Sequence, residues 1–135
     1  MKKLLSTKYS AGAFNAAMLL LRIGSGVLIM NHGYGKLMKF GSMQHKFMNF
    51  LGLGSTLSLS LVIFAEFFCG MFIILGLFTR LAAIPLIIAM GVALIKAHNT
   101  DFFGEGEAAA LYMIAFMVLL IIGPGKVSVD GMIGK

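Results

Sequence analysis

Residues 57–78 read LSLSLVIFAEFFCGMFIILGLF, and this stretch decides the fold class. Its one charged residue is Glu66, near the middle, and the residues around it are almost all apolar. A helix needs about 20 predominantly apolar residues to cross the hydrocarbon core of a bilayer. The stretch therefore predicts a transmembrane helix that carries a single carboxyl group at its centre.

The composition of the whole chain agrees with this prediction. The 135 residues are 59% hydrophobic and 12% charged, whereas a soluble domain has about 25% charged residues. Eleven basic and five acidic residues are too few to cover the surface of a water-soluble fold of this size. Most of the surface is therefore expected to face lipid.

Three further apolar runs accompany this stretch, and we predict an all-α integral membrane protein, a single domain over residues 1–135. Its fold would be a four-transmembrane-helix bundle with spans at about 12–30, 57–78, 81–97 and 107–122. Pro85 falls in the early turns of the third span, where its missing N–H costs least. Residues 123–125, Gly-Pro-Gly, end the fourth. Because the third and fourth apolar runs are short, two spans with two re-entrant segments are the alternative.

The connection between the first two spans predicts a short amphipathic helix at about 40–51. Phe40, Met43, Phe47 and Phe50 recur there at helical spacing, with polar residues between them. A helix of this kind lies in the membrane interface, with its apolar face toward the acyl chains.

The basic residues predict the orientation of the spans. With a cytoplasmic N-terminus, the cytoplasmic side would hold six of them: Lys2, Lys3, Lys8, Arg80, Lys126 and Lys135. The far side would hold four: Lys36, Lys39, Lys46 and Lys96. The positive-inside rule then places both termini in the cytoplasm. The basic start of the chain resembles a secretory signal but lacks a convincing cleavage site, so we interpret the first apolar run as a retained helix.

Charge and cysteine content exclude two functional classes. The net charge of +6 could suggest nucleic-acid binding, but the basic residues stand at the ends of apolar runs instead of forming a patch. Cys69 is the single cysteine, so the chain has no intramolecular disulfide and cannot work alone as a quinone-linked disulfide-generating enzyme. A lone thiol in a span is expected to be a small apolar filler.

Arg22 and Glu66 are ionisable residues inside predicted spans. Each falls about ten residues from the external end of its span, which predicts the same depth in neighbouring helices. An unpaired charge at the bilayer centre is costly, so we predict that the two side chains pair directly, through water or through a ligand. The pair would either fix the helix register or form a proton-linked or quinone-type catalytic site.

The three histidines are predicted to share the external side. His32 and Lys36 follow the first span, His98 follows the third, and His45 lies in the amphipathic segment. Their spacing has no metal-site signature, and no metal ligands are predicted. A proton-conducting mouth around His32 and His98, haem ligation and ordinary interfacial histidines all remain open.

Several motifs, in order along nearly the whole chain, resemble the DoxX family of small inner-membrane proteins. They are Arg22-Ile23-Gly24, residues 31–36 (NHGYGK), Ala65-Glu66, Cys69-Gly70, residues 75–83 (LGLFTRLAA), Lys96-Ala97-His98 and residues 123–130 (GPGKVSVD). The resemblance implies a four-helix bundle in the bacterial inner membrane, with Arg22, His32, Glu66 and His98 as the polar positions of the family pattern. Some members of the family are associated with thiosulfate:quinone oxidoreductase or with oxidative-stress complexes. This chain lacks the separate sulfur-compound-binding partner, so thiosulfate specificity does not transfer.

The resulting functional hypothesis is a membrane subunit of a quinone-linked oxidoreductase or redox-stress complex. Glu66 and Arg22 would exchange protons, and His32, His98 and Lys36 would lie near a quinone or, as the second choice, a haem. The expected partners are the lipid bilayer and either another copy of the chain or a redox protein. The alternative hypothesis is a non-catalytic scaffold or small-solute carrier, whose polar residues assemble helices or line a path.

Overall fold

The computed structural model of the protein describes residues 4–45, 47, 52–97, 104 and 106–134. Within these residues the fold is all-α, as predicted, and contains no strand. Two of its helices are long and apolar enough to cross a membrane, and two apolar helices are shorter.

The helices are labelled in chain order. They are α1 (Ala11–Met38), α2 (Phe40–Met43), α3 (Ser55–Leu75), α4 (Thr79–Val92, continued by a π-helical Ala93–Ala97), α5 (Glu107–Ile122) and α6 (Val129–Ile133). Helix α3 is α-helical over Ser55–Ile63 and Gly70–Leu75, with a π-helical segment, Phe64–Cys69, between them.

Helix α1 continues eight residues past the predicted end of the first span. The hydropathy falls at Asn31 and His32, but the helix runs on to Met38. Loss of hydropathy does not by itself end a helix, because its backbone hydrogen bonds need no apolar side chains. The segment NHGYGK is therefore part of helix α1.

The predicted amphipathic helix is described only in part. Phe40–Met43 forms the short helix α2. Hydroxyl groups of Ser55 and Thr56 donate to the carbonyl of Gln44 and hold the start of α3 against the end of this segment. Residues 46 and 48–51 lie outside the described residues.

The core lies between α1, α3, α4 and α5. Helix α4 packs most extensively against α5, and α1 packs along α3. Fully or almost fully buried side chains at the centre include Ile29, Ile73, Leu86, Phe116 and Leu119. Cys69 is also buried among them, as expected of an apolar filler.

A tight turn reverses the chain between α3 and α4. Gly76 adopts a left-handed conformation (φ 71°), and the N–H of Leu77 donates to the carbonyl of Phe72 at 3.0 Å. Glycine adopts this backbone conformation without steric cost, which is why helices often end with it. The turn makes α3 and α4 antiparallel neighbours.

Candidate functional site

Glu66 forms an ion pair with Lys36 in the interior of the helix bundle. The Lys36 ammonium donates to both carboxylate oxygens of Glu66, with 2.9 Å between Nζ and Oε2. The Glu66 side chain is 4% exposed, whereas that of Lys36 is 26% exposed. The pair thus joins a buried carboxylate to a cation that still reaches the outside of the bundle.

Gly33 brings the two helices close enough for this pair to form. A Cβ atom added at Gly33 would stand 2.6 Å from the backbone nitrogen of Phe67 and 2.9 Å from the Cβ of Glu66. Only glycine permits such an approach of backbones. Lys36 lies almost one turn beyond Gly33 on α1, and its side chain reaches the carboxylate from there.

Glu66 lies within the π-helical segment of α3. A π-helix is a rare departure from the α-helix and occurs frequently at functional sites. The segment leaves Ala65, Glu66 and Cys69 buried. In this structure it therefore coincides with the one acidic side chain of the helix.

One aromatic side chain of α5, that of Tyr112, lies near the Lys36–Glu66 pair. Tyr112 is half-buried and close enough to Glu66 to be electrostatically coupled to it. Its ring stacks on Phe116, with 6.1 Å between centroids, and meets His32 edge-to-face at 6.0 Å. The carboxylate, the ammonium and the phenol thus come from three different helices.

Arg22 stabilises the end of α3 instead of meeting Glu66. Its guanidinium is 1% exposed and donates to the carbonyls of Ile73 at 3.4 Å, Ile74 at 3.1 Å and Val127. The last carbonyls of a helix have no partner within it and carry partial negative charge. A buried cation at this position satisfies them.

Asp130 performs the complementary task at the start of α4. Its carboxylate accepts from the backbone N–H groups of Phe78 at 2.9 Å and Thr79 at 3.0 Å. Its own N–H donates to the carbonyl of Gly76 at 2.9 Å. Negative charge is favourable at a helix N-terminus, where N–H groups lack partners. We call Arg22, Asp130 and the backbone groups that they bind the Arg22–Asp130 cluster.

The predicted direct pairing of Arg22 with Glu66 is wrong. Glu66, in the middle of α3, stands beside Gly33, whereas Arg22 stands beside Gly76, just past the C-terminal end of α3. Eleven residues separate Arg22 from Gly33, about 16 Å along a helix. The prediction placed the depth of Arg22 by counting back from Met30 as the end of the first span. Because α1 ends eight residues later, at Met38, Arg22 lies deeper along the helix than predicted.

The histidines do not come together in the described residues. His32 is exposed on α1 beside Tyr112, and His45 is exposed in the turn after α2. His98 lies outside the described residues. In the described part of the chain, no group of three histidine, cysteine or acidic side chains could hold a metal ion.

Sequence reasoning missed Tyr112 and the helix-capping role of Asp130. Tyr112 is the one hydroxyl group in α5, which is otherwise apolar beyond Glu107 at its start, a signal that could have singled it out. Asp130 follows a Gly-Pro-Gly stop, and its partners are backbone groups 51 and 52 positions earlier. No spacing rule reveals a contact of that kind.

Comparisons with known proteins identify the family of this chain. The family model of DoxX matches residues 17–99. The chain belongs to the DoxX family. It is 30% identical to the inner membrane protein YqjF of Escherichia coli K12 over 130 residues, covering 90% of this chain and 95% of the relative. It is 29% identical to the inner membrane protein YphA of the same strain, with 90% and 94% covered. No solved structure matches the chain significantly.

The DoxX match covers part of each group of buried polar residues. Arg22, Lys36 and Glu66 all lie within the matched residues 17–99. Tyr112 and Asp130 lie beyond them, on the last long helix and on the C-terminal segment. Each group therefore combines residues inside the DoxX match with residues outside it.

Proposed function

We propose that this DoxX-family protein crosses the bacterial inner membrane four times, with both termini in the cytoplasm. Two curated relatives are named as inner membrane proteins. The start of α1 and the C-terminal segment meet at one end of the bundle, where the N–H of Lys126 donates to Asn15 at 2.9 Å. An even number of crossings returns both ends of the chain to one side, and the excess of basic residues favours the cytoplasmic side.

We further propose that the protein is a membrane subunit of a quinone-linked oxidoreductase or redox-stress complex. The observation that carries this proposal is the Lys36–Glu66 pair, a carboxylate buried at mid-helix and bound by a cation that reaches the surface. An ionisable side chain inside a membrane span costs more free energy than an apolar one. Such residues are therefore candidates by default for proton relays and binding sites. The π-helical turn at Glu66 adds a second feature common at functional sites.

In this proposal, Lys36, Glu66 and Tyr112 would hold a quinone headgroup. The Lys36 ammonium and the Tyr112 hydroxyl can donate hydrogen bonds to a carbonyl oxygen, and Glu66 can accept a proton or release one. A bound quinone would supply two-electron chemistry that takes up two protons, with the electrons coming from a partner redox protein. Within this chain, Lys36 would orient the headgroup and Glu66 would hold or deliver a proton at its carboxylate.

The partly exposed lysine gives the pair a route for protons. A lysine side chain has a long flexible stem, so its ammonium can move between the buried carboxylate and the polar boundary of the membrane. If the ammonium moved away, the neutral form of the buried carboxyl group would be favoured over the charged form, because an unpaired buried charge is costly. Movement of Lys36 would thus couple occupancy of the site to protonation of Glu66.

The test compares Glu66→Gln with the matched control Glu107→Gln, a carboxylate exposed at the start of α5. The protein would be purified in mild detergent, and bound quinone would be quantified from reduced-minus-oxidised ultraviolet difference spectra, with added decylubiquinone as the probe. We expect a quinone signal above the lipid background in the wild type and in Glu107→Gln, and its loss in Glu66→Gln. No protein-bound signal in the wild type, or an unchanged signal in Glu66→Gln, would overturn the proposal.

A non-catalytic scaffold is the second candidate, and one observation favours it. The Arg22–Asp130 cluster binds backbone groups of the α3–α4 turn and the C-terminal segment, so its charges assemble helices. A path for solutes is less favoured, because Ile29, Cys69 and Ile73 fill the space between this cluster and the Lys36–Glu66 pair. A redox-silent protein with both groups of charge intact would support the scaffold.

A further inference from the structure

Helix α1 carries a regular seam of residues on the side that faces away from the bundle. The seam residues follow one another at alternating spacings of four and three positions: Ala13, Ala17, Leu20, Gly24, Val27, Asn31, Tyr34 and Met38. All of them are exposed except Gly24, which is half-buried. These positions correspond geometrically to the a and d positions through which two helices pack in a coiled coil.

Among the described residues, the seam is largely exposed from Ala13 to Asn31, whereas the ring of Tyr34 lies 6.4 Å from that of Phe67 on α3. Leu20, Gly24, Val27 and Asn31 each stand two positions before a residue that is buried against the bundle: Arg22, Gly26, Ile29 and Gly33. Two residues turn a helix by about 200°, so the seam and the buried face lie on opposite sides of α1. A Cβ added at Gly24 would meet no side chain and no atom of another helix within 4 Å in the described part of the chain, which leaves room for another helix at close approach.

Asn31 distinguishes this seam from an ordinary lipid-facing surface. It lies between Gly26, which packs against Gly70, and Gly33, which packs against Glu66, and so stands at the middle of the α3 span. No described residue hydrogen-bonds its exposed amide. A polar amide that faces hydrocarbon loses its hydrogen bonds to water, whereas one that faces another helix regains a partner.

We propose that a second copy of this chain packs on the seam, α1 against α1, to form a parallel dimer. Two copies in one membrane share the same orientation, so a two-fold axis along the membrane normal brings every seam residue opposite its own counterpart. Asn31 then meets Asn31 of the partner at the same depth. A carboxamide has both donors and acceptors, so this contact is self-complementary, and a single asparagine in such a seam fixes register and oligomeric state.

The proposal rests on the membrane crossing proposed above but not on any role of Glu66. Its test uses the fact that Cys69 is the single cysteine and is buried. In a Cys69→Ala background, Val27→Cys places a thiol on the seam, and Leu28→Cys places one beside it on the same helix. Their native side chains are similarly exposed, at 51% and 58%. Both variants would be oxidised in native membranes and separated on non-reducing gels.

We expect Val27→Cys to form a disulfide-linked dimer several-fold more efficiently than Leu28→Cys. Energy transfer between labelled copies in liposomes of decreasing protein density should also show that Asn31→Leu weakens the dimer. Interhelical hydrogen bonds of this type predict a loss of about threefold to thirtyfold in affinity. Equal cross-linking at the two positions, cross-linking of Val27→Cys only to a different protein, or an unchanged affinity in Asn31→Leu would each overturn the proposal. Quinone binding of Glu66→Gln tests only the proposed quinone-linked function and does not bear on the dimer.

Discussion

The Arg22–Asp130 cluster and the Lys36–Glu66 pair both place buried charges along α1, but they use those charges differently. Arg22 and Asp130 bind backbone groups of a helix end, a turn and the C-terminal segment, and each is at most 8% exposed. Lys36 and Glu66 bind each other, and Lys36 keeps 26% of its side chain exposed. Backbone groups cannot leave a contact without unfolding the turn, whereas a side-chain pair can open and exchange partners. The comparison therefore indicates a structural role for the first group and supports the proposed ligand or proton exchange at the second.

Replacement of Arg22 should cause the largest loss of stability. Arg22→Met removes the donor to Ile74 and Val127 and leaves the buried Asp130 without a nearby cation. Breaking a buried charged contact by removing one partner costs about 3–5 kcal/mol. Thermal unfolding in detergent, with Arg80→Met as the exposed control, measures the effect. Equal unfolding temperatures for the two variants would contradict the structural role of Arg22.

Replacement of Asp130 should be the next most damaging. Asp130→Asn keeps one acceptor oxygen but loses the charge and the second bond, so one of the N–H groups of Phe78 and Thr79 loses its partner. Hydrogen bonds to charged groups contribute about 1.5–3 kcal/mol each. The same unfolding experiment should show this loss. A double variant with Arg22→Met should lose less than the sum of the two single losses, because both act on one turn; strict additivity would argue against a shared cluster.

The helix ends near these two residues could be predicted from the sequence, but their contacts could not. The turn at Gly76 and the stop at residues 123–125 carry glycine and proline signals, and both boundaries agree with the structure to within a few residues. The direction in which Arg22 points could not be predicted, since hydropathy ended the first span at Met30 and the helix does not end there. The Lys36–Glu66 pair could not be predicted either. It depends on the close approach of helices at Gly33 and on a π-helical turn, and no pattern of residues indicates either feature.

A smaller effect is expected where the helices approach each other at the site. Gly33→Ala forces a Cβ to within 2.6 Å of the backbone of α3, so α1 must shift away from Glu66. Overpacking of this kind costs about 1–3 kcal/mol. Gly35→Ala is the matched control, because an added Cβ there meets no atom within 4 Å, and alanine favours a helix over glycine. Unfolding temperatures should fall in the first variant and hold or rise in the second. The opposite order would refute the close packing at Gly33.

The smallest loss of stability should come from Glu66→Gln. Gln can still accept a hydrogen bond from Lys36, and Lys36 can turn its ammonium toward the surface, so no charge is left buried. We expect a cost of about 1 kcal/mol or less, which is the value of one ordinary hydrogen bond. A loss of stability as large as that of Arg22→Met would show that the Lys36–Glu66 pair stabilises the fold in the same way as the Arg22–Asp130 cluster.

The proposed exchange of a proton at Glu66 can be tested most directly by redox-induced infrared difference spectroscopy of the protein in liposomes that contain quinone. The comparison of the two groups predicts a carboxyl band that changes when the quinone is reduced, that disappears in Glu66→Gln, and that persists in Asp130→Asn and Glu107→Gln. A difference spectrum without a carboxyl band, or a band that survives in Glu66→Gln, would contradict the assignment of the Lys36–Glu66 pair to proton exchange.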